Sequence, residues 1–95
     1  MQALVLKSLR AILPVQVAID MVIDLITVRT NDGFTAEVPS LNGCESWAHS
    51  EEEAIKNVIE LVRFYTNLPP ENEIKIDRAR KYPNKIIYKL IFDKY

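Results

Sequence analysis

Cysteine and histidine each occur once in this chain, as Cys44 and His49. A lone cysteine cannot form a disulfide within the chain, and one cysteine with one histidine cannot complete the four-ligand shell of a structural zinc ion. The sequence has no run of about eighteen apolar residues, so no segment is suited to cross a membrane as a helix. Lys7 and Arg10 interrupt the first apolar stretch, so we expect a reduced, cytoplasmic protein without a secretion signal.

The composition is that of one small globular domain. Its 95 residues are 48% hydrophobic, which argues against a disordered chain, and we expect residues 1–95 to form a single domain. The net charge of −1 predicts neither nucleic-acid nor membrane binding by itself. The charges are unevenly distributed, however: residues 1–72 carry five basic and ten acidic side chains, whereas residues 73–95 carry seven basic and three acidic ones.

Alternation of apolar with other residues predicts several strands. Leu9 to Ile19 alternate with period two, and Pro14, which lacks a backbone N–H, places this strand at an edge or a bend. The residues before Leu9 are ambiguous, because Leu6, Leu9 and Leu13 also suit one side of a helix; we predict a strand. Met21 to Thr30 is rich in β-branched residues and is predicted to be a second strand. Alternation predicts the further strands at Phe34 to Val38, Ile74 to Asp77 and Ile86 to Phe92.

Turn-forming residues separate these strands. Asn31-Asp32-Gly33 predicts a hairpin turn, because these residue types tolerate the positive φ that many such turns need. Asn42-Gly43 and Pro83-Asn84 predict two more turns, and Cys44 to Ala48 are expected to form a short extended segment.

A single helix is predicted from Ser50 to Asn67. Ser50 begins a capping box, in which its hydroxyl accepts the Glu53 N–H and the Glu53 carboxylate reaches back. Pro69 and Pro70 end the helix, because the residue before a proline avoids the α region. Apolar residues recur at helical spacing, at Ala54, Ile55, Val58, Leu61, Val62 and Tyr65. The pattern predicts an α+β fold, β(3)-α-β(2), with one helix packed across an antiparallel sheet.

Several short motifs follow one another in a fixed order between Gly33 and Thr66. They are Asp32-Gly33-Phe34, Ala36-Glu37-Val38-Pro39, Leu41-Asn42-Gly43-Cys44, Ser46 and Glu52-Glu53-Ala54. Together they resemble the core of HicB-like antitoxins. The resemblance implies a partial ferredoxin-like or double-stranded-RNA-binding-like fold. It also implies a non-enzymatic antitoxin that neutralises a small HicA-like, mRNA-cleaving toxin by direct binding.

The chain departs from that family pattern in three places. Ala48-His49 stands where a Gly-Asp pair is often found, and Asn42 stands where proline is usual. Many antitoxins of the family add a C-terminal DNA-binding module, whereas Glu71 to Tyr95 are expected here to form a strand, a turn and a strand. We therefore do not expect DNA binding. The residues before Met21 extend the family-like pattern.

Cys44 and the acidic run at 51–53 each allow two interpretations. Cys44 would need His49 within hydrogen-bond reach to act as a nucleophile, whereas a small buried cysteine would need no partner. We favour the buried residue, because the sequence supplies neither an orienting group nor an oxyanion hole. The glutamates could bind a metal or a partner, but we favour simple complementarity to the helix dipole. We expect no enzyme activity, no cofactor and no metal.

Contacts with a partner are predicted at two places. Trp47, the only tryptophan, suits an interface but would equally close the core. The basic C-terminal hairpin could bind RNA phosphates, meet the acidic part of a second subunit, or form a solvated edge protected by lysines. The predicted partner-binding residues are Trp47, Arg78, Arg80, Tyr82 and Tyr88.

The sequence thus supports an interaction module first. The alternative is an orphan domain of the same family that self-assembles or binds RNA through its basic hairpin, without a toxin. We also expect a homodimer, because one helix cannot cover both faces and both edges of the predicted sheet. The expected subunit contact includes Ile86, Tyr88, Leu90 or Phe92.

Overall fold

The computed structural model of the chain describes residues 20–93, and the strand predicted at Leu9 to Ile19 lies outside them. One helix packs against a five-stranded antiparallel sheet, which confirms the α+β fold. The segment expected to be merely extended before the helix is a strand. The elements are β1 (Asp20–Arg29), β2 (Phe34–Glu37), β3 (Glu45–Ala48), α1 (Glu51–Thr66), β4 (Lys75–Tyr82) and β5 (Lys85–Asp93).

The two longest strands, β1 and β5, are neighbours in the interior of the sheet. The strand order is β3-β2-β1-β5-β4, and β1 pairs with β5 from Asp20 opposite Asp93 to Val28 opposite Lys85. Across this ladder Leu25 is opposite Tyr88, so both lie on the same side of the sheet, toward α1. The period-two pattern of the sequence therefore predicts correctly that Ile86, Tyr88, Leu90 and Phe92 share one side of β5.

The turn between β1 and β2 forms as predicted, but for another reason. The Thr30 N–H donates to the Gly33 carbonyl at 2.8 Å, and among the described glycines only Gly43 has a positive φ, of 84°. Gly33 is needed for close approach instead: a Cβ there would lie 2.4 Å from the Ala48 carbonyl oxygen. Because Gly33 lies against β3, no residue with a side chain fits at position 33. Gly43, in contrast, adopts the positive φ that such turns often need.

The helix begins and ends where the sequence predicts. The Glu53 N–H donates to Ser50 Oγ at 3.2 Å, and Asn67 ends the helix in the left-handed conformation, with φ 56°. Ala54, Val58 and Val62 are completely buried against the sheet. Within residues 20–93 no helix is long and apolar enough to span a membrane.

The core lies between α1 and the side of the sheet that faces it. Its centre combines Leu25 and Leu90 of the two central strands with the buried side of the helix. Tyr88, Leu90 and Phe92 are each at most 9% exposed, because they pack within one chain. They are therefore not free to form the subunit contact expected of them, and Ile86 is half-buried.

We predict that Ser50→Ala lowers the free energy of unfolding by about 0.5–2 kcal/mol, because the Glu53 N–H loses its side-chain acceptor. Glu53→Ala is the matched control and should cost less, since the Ser50 hydroxyl still caps the helix. Chemical denaturation of the three proteins measures both changes. Equal stability of Ser50→Ala and the parent chain would contradict the capping role.

Candidate functional site

The outer strand of the β4–β5 hairpin is exposed along its whole length. Within the described residues β4 pairs only with β5, so the backbone N–H and C=O groups of its other edge have no neighbouring strand there. We refer to β4 and β5 together as the basic hairpin, since half of the eight β4 residues are cationic: Lys75, Arg78, Arg80 and Lys81.

A bulge distributes these cations over both sides of the hairpin. The register shifts between Arg78, which is opposite Tyr88, and Arg80, which is opposite Ile87. Arg80 Nη1 donates to the Tyr82 hydroxyl at 3.4 Å, and the Lys85 ammonium lies 5.3 Å from the centre of the Tyr82 ring. The hydrogen bond from Arg80, followed by its charge, lowers the pKa of Tyr82. The hairpin tip therefore presents an aromatic ring between two cations.

Tyr88 has a different role from its neighbours on the hairpin. Its hydroxyl donates to Glu51 Oε2 at 3.0 Å, and Thr27 Oγ1 donates to the same oxygen at 2.7 Å. Burial, and then the bond to Glu51, raise the pKa of Tyr88, while Arg78 acts in the opposite direction. This trio joins β1 and β5 to the first turn of α1. These hydrogen bonds were not predicted from the sequence. The one residue that could have indicated them is Thr27, a threonine at an inward position of an apolar strand.

A pocket of about 180 Å³ opens beside Glu51, at the tip of the basic hairpin. Arg29 and Lys81 contribute cationic residues to its lining, and the Arg29 guanidinium carbon lies 5.9 Å from the centre of the Phe34 ring. Pockets for drug-sized ligands are larger, about 300–1,000 Å³. This hairpin pocket therefore suits one side chain or one ring of a partner.

Trp47 lies at the opposite edge of the sheet from the basic hairpin. β3 and β4 are separated by three strands, or roughly 19 Å at the usual strand spacing. The Trp47 side chain is 44% exposed, and its ring packs edge-to-face against His49 at 4.8 Å. The structure thus brings together Arg78, Arg80 and Tyr82 of the predicted partner-binding residues, buries Tyr88 and places Trp47 on a separate surface.

Cys44 occupies a packing position. The thiol is 2% exposed, lies 3.9 Å from the Val58 carbonyl oxygen, and has its pKa raised by burial. His49 is exposed and contacts Trp47. Within the described part of the chain, no group of three or more His, Cys, Asp or Glu residues is arranged so that it could hold a metal ion.

Comparisons with protein-family models, curated proteins and solved structures give no match for this chain. The likeness to HicB-like antitoxins therefore rests on the residues between Gly33 and Thr66 alone. Any function must be inferred from that likeness together with the basic hairpin and the hairpin pocket.

Tyr82 and Tyr88 should titrate at different pH, because the pKa of Tyr82 is lowered and that of Tyr88 is raised. The folded chain holds the Tyr88 proton more tightly than the unfolded chain does, so this group makes stability fall as pH rises above about 10. In an ultraviolet absorbance titration, Tyr88→Phe should remove a late-titrating phenol, and Tyr82→Phe an early one. If the two variants lost phenols of the same pKa, the buried Tyr88–Glu51 bond would be refuted.

Proposed function

We propose that this chain is a non-enzymatic interaction module that resembles a HicB-like antitoxin. It neutralises a small HicA-like, mRNA-cleaving toxin by covering the toxin's active surface, without chemistry of its own. The observation that carries the proposal is the fully exposed, basic edge strand β4 beside the hairpin pocket.

The edge of β4 supports a specific way of binding. An exposed edge strand can receive a strand from another protein, with backbone hydrogen bonds supplying affinity and side chains supplying specificity. The four cations of β4 discourage unspecific pairing with other edges. A toxin strand with acidic side chains opposite Arg78 and Arg80 would neutralise these cations and could therefore pair with β4.

The hairpin pocket supports the same geometry. Binding energy at protein interfaces concentrates in a few side chains that fill well-packed pockets. The hairpin pocket has room for one such side chain and lies at the end of β4, where Lys81 and Tyr82 line it. Glu51, held by Thr27 and Tyr88, offers a fixed carboxylate that favours a cationic or hydrogen-bond-donating group.

We expect the chain to co-purify with a HicA-like toxin encoded in the neighbouring reading frame and to inhibit its cleavage of RNA. Arg80→Glu should weaken the complex by about tenfold or more, because it reverses an exposed charge at the centre of the proposed contact. Titration of toxin activity with each variant measures the effect.

Lys56→Glu is the matched control, since Lys56 is an exposed cation on α1, away from the hairpin. It should inhibit as the parent chain does. Inhibition that is insensitive to Arg80→Glu, or equally sensitive to Lys56→Glu, would contradict binding through β4. Failure of both variants and the parent chain to bind any HicA-like toxin would contradict the antitoxin proposal itself.

The cation–aromatic tip favours a second candidate function. In this alternative the chain is an orphan domain that binds single-stranded RNA through Arg80, Tyr82 and Lys85, or that self-associates by setting its basic hairpin against the acidic part of a second copy. Stacked bases and neutralised phosphates are the usual contacts of such RNA surfaces.

If RNA is the ligand, affinity for a short single-stranded RNA should fall linearly with salt on logarithmic axes, by a slope of about 0.7 per phosphate contact. Tyr82→Ala should lower the affinity with little change in that slope, because it removes stacking and no charge. Binding that does not respond to salt would exclude this surface as an RNA site.

A further inference from the structure

The side of the sheet that faces away from α1 carries five apolar residues on its two central strands, around one ion pair between Asp24 and Lys89. Antiparallel register and alternation place on this open face Val22, Ile26 and Val28 of β1, and Ile87 and Ile91 of β5. Val22 is 56% exposed, and the other four are half-buried. None of the described elements packs over them, since α1 lies on the other side.

Strands that carry apolar residues on both sides are typically covered on both sides. A sheet with one solvated face instead alternates apolar and polar residues. β1 departs from that alternation at Val22, Ile26 and Val28, and β5 departs from it at Ile87 and Ile91. Apart from the half-exposed ion pair of Asp24 and Lys89, the central strands of the open face therefore resemble an interior surface, which indicates that something covers them.

We propose that residues 1–19 of the same chain cover the open face. Thirteen of these nineteen residues are apolar, among them Leu4, Leu6, Leu9 and Leu13. The segment leads directly into β1, a central strand of the sheet, so its end is fixed beside the face. Nineteen residues reach roughly 28 Å as a helix or 60 Å extended, which suffices to run back along the roughly 33 Å of β1.

Charge complementarity supports this occupant. Glu37 and Glu45 are directly opposite each other on the open face, where like charges repel. Both are exposed, and within residues 20–93 neither forms an ion pair. The only charged residues among 1–19 are Lys7 and Arg10, both cationic. A basic, leucine-rich segment beside these carboxylates would offset the repulsion.

Covalent attachment favours this segment over a second copy of the chain. An attached segment acts at an effective concentration in the millimolar range, far above that of a separate protein in dilute solution.

Trp47 reports directly on the cover, because it is the only tryptophan and lies on the open face beside Glu45. With residues 1–19 in place, Trp47 of the full-length chain should emit at short wavelength and resist quenching by acrylamide. Leu9→Asp combined with Leu13→Asp should shift the emission to longer wavelength and raise the quenching constant toward that of a free indole. Both leucines belong to the apolar stripe in either a strand or a helix.

Ser8→Asp is the matched control, since position 8 lies off that stripe in both conformations, and it should leave Trp47 shielded. Trp47 that is freely quenched in the unmodified chain would overturn the proposal, even if the double variant failed to fold. Shielding of Trp47 that disappears on dilution would also overturn the proposal, because it would show that a second copy of the chain covers the open face. Shielding that survives dilution and the double leucine substitution would exclude residues 1–19 as the cover.

Discussion

The fold depends on the pairing of β1 with β5, because every other element is placed by it. This ladder sets Leu25 beside Tyr88 and Ile23 beside Leu90, and so provides the surface on which the core is built. β2 and β3 extend the sheet on one side, where α1 packs, and β4 extends it on the other. The helix therefore lies toward one edge of the sheet, and the basic hairpin projects at the other edge with little cover.

That asymmetry separates the packed core from the exposed basic hairpin. Glu51 sits where the two meet, since it begins α1, accepts hydrogen bonds from Thr27 and Tyr88 and lines the hairpin pocket. The hairpin tip is thus held to the core by a buried polar contact, while Arg80 and Tyr82 stay exposed. A surface of this kind is preorganised, so a partner that binds it loses less conformational entropy than one that must order a loop.

Local patterns were sufficient to predict the α+β fold. β-Branched content predicted the strand at Met21 to Thr30, alternation predicted the strand at Ile86 to Phe92, and the capping box, apolar spacing and proline stop predicted the helix from Ser50 to Asn67. Contacts between distant residues were not predictable in the same way. Tyr88 lies in a hairpin rich in cationic residues and was assigned to a partner, yet its long-range pairing with Leu25 places it in the core. Gly33 was attributed to a positive φ, whereas it is required by the Ala48 carbonyl fifteen residues later. The separation of Trp47 from the hairpin follows from the strand order, which no local pattern specifies.

We propose that the basic hairpin and the hairpin pocket form the surface that binds a partner. Backbone amide chemical shifts, recorded while a catalytically inactive HicA-like toxin is added, test it most directly. We expect the largest changes to cluster on Lys75 to Tyr82 and around Glu51 and Arg29, with small changes at Lys56 and Glu60 on the exposed side of α1. Changes that cluster on α1 and leave β4 unaffected would contradict it.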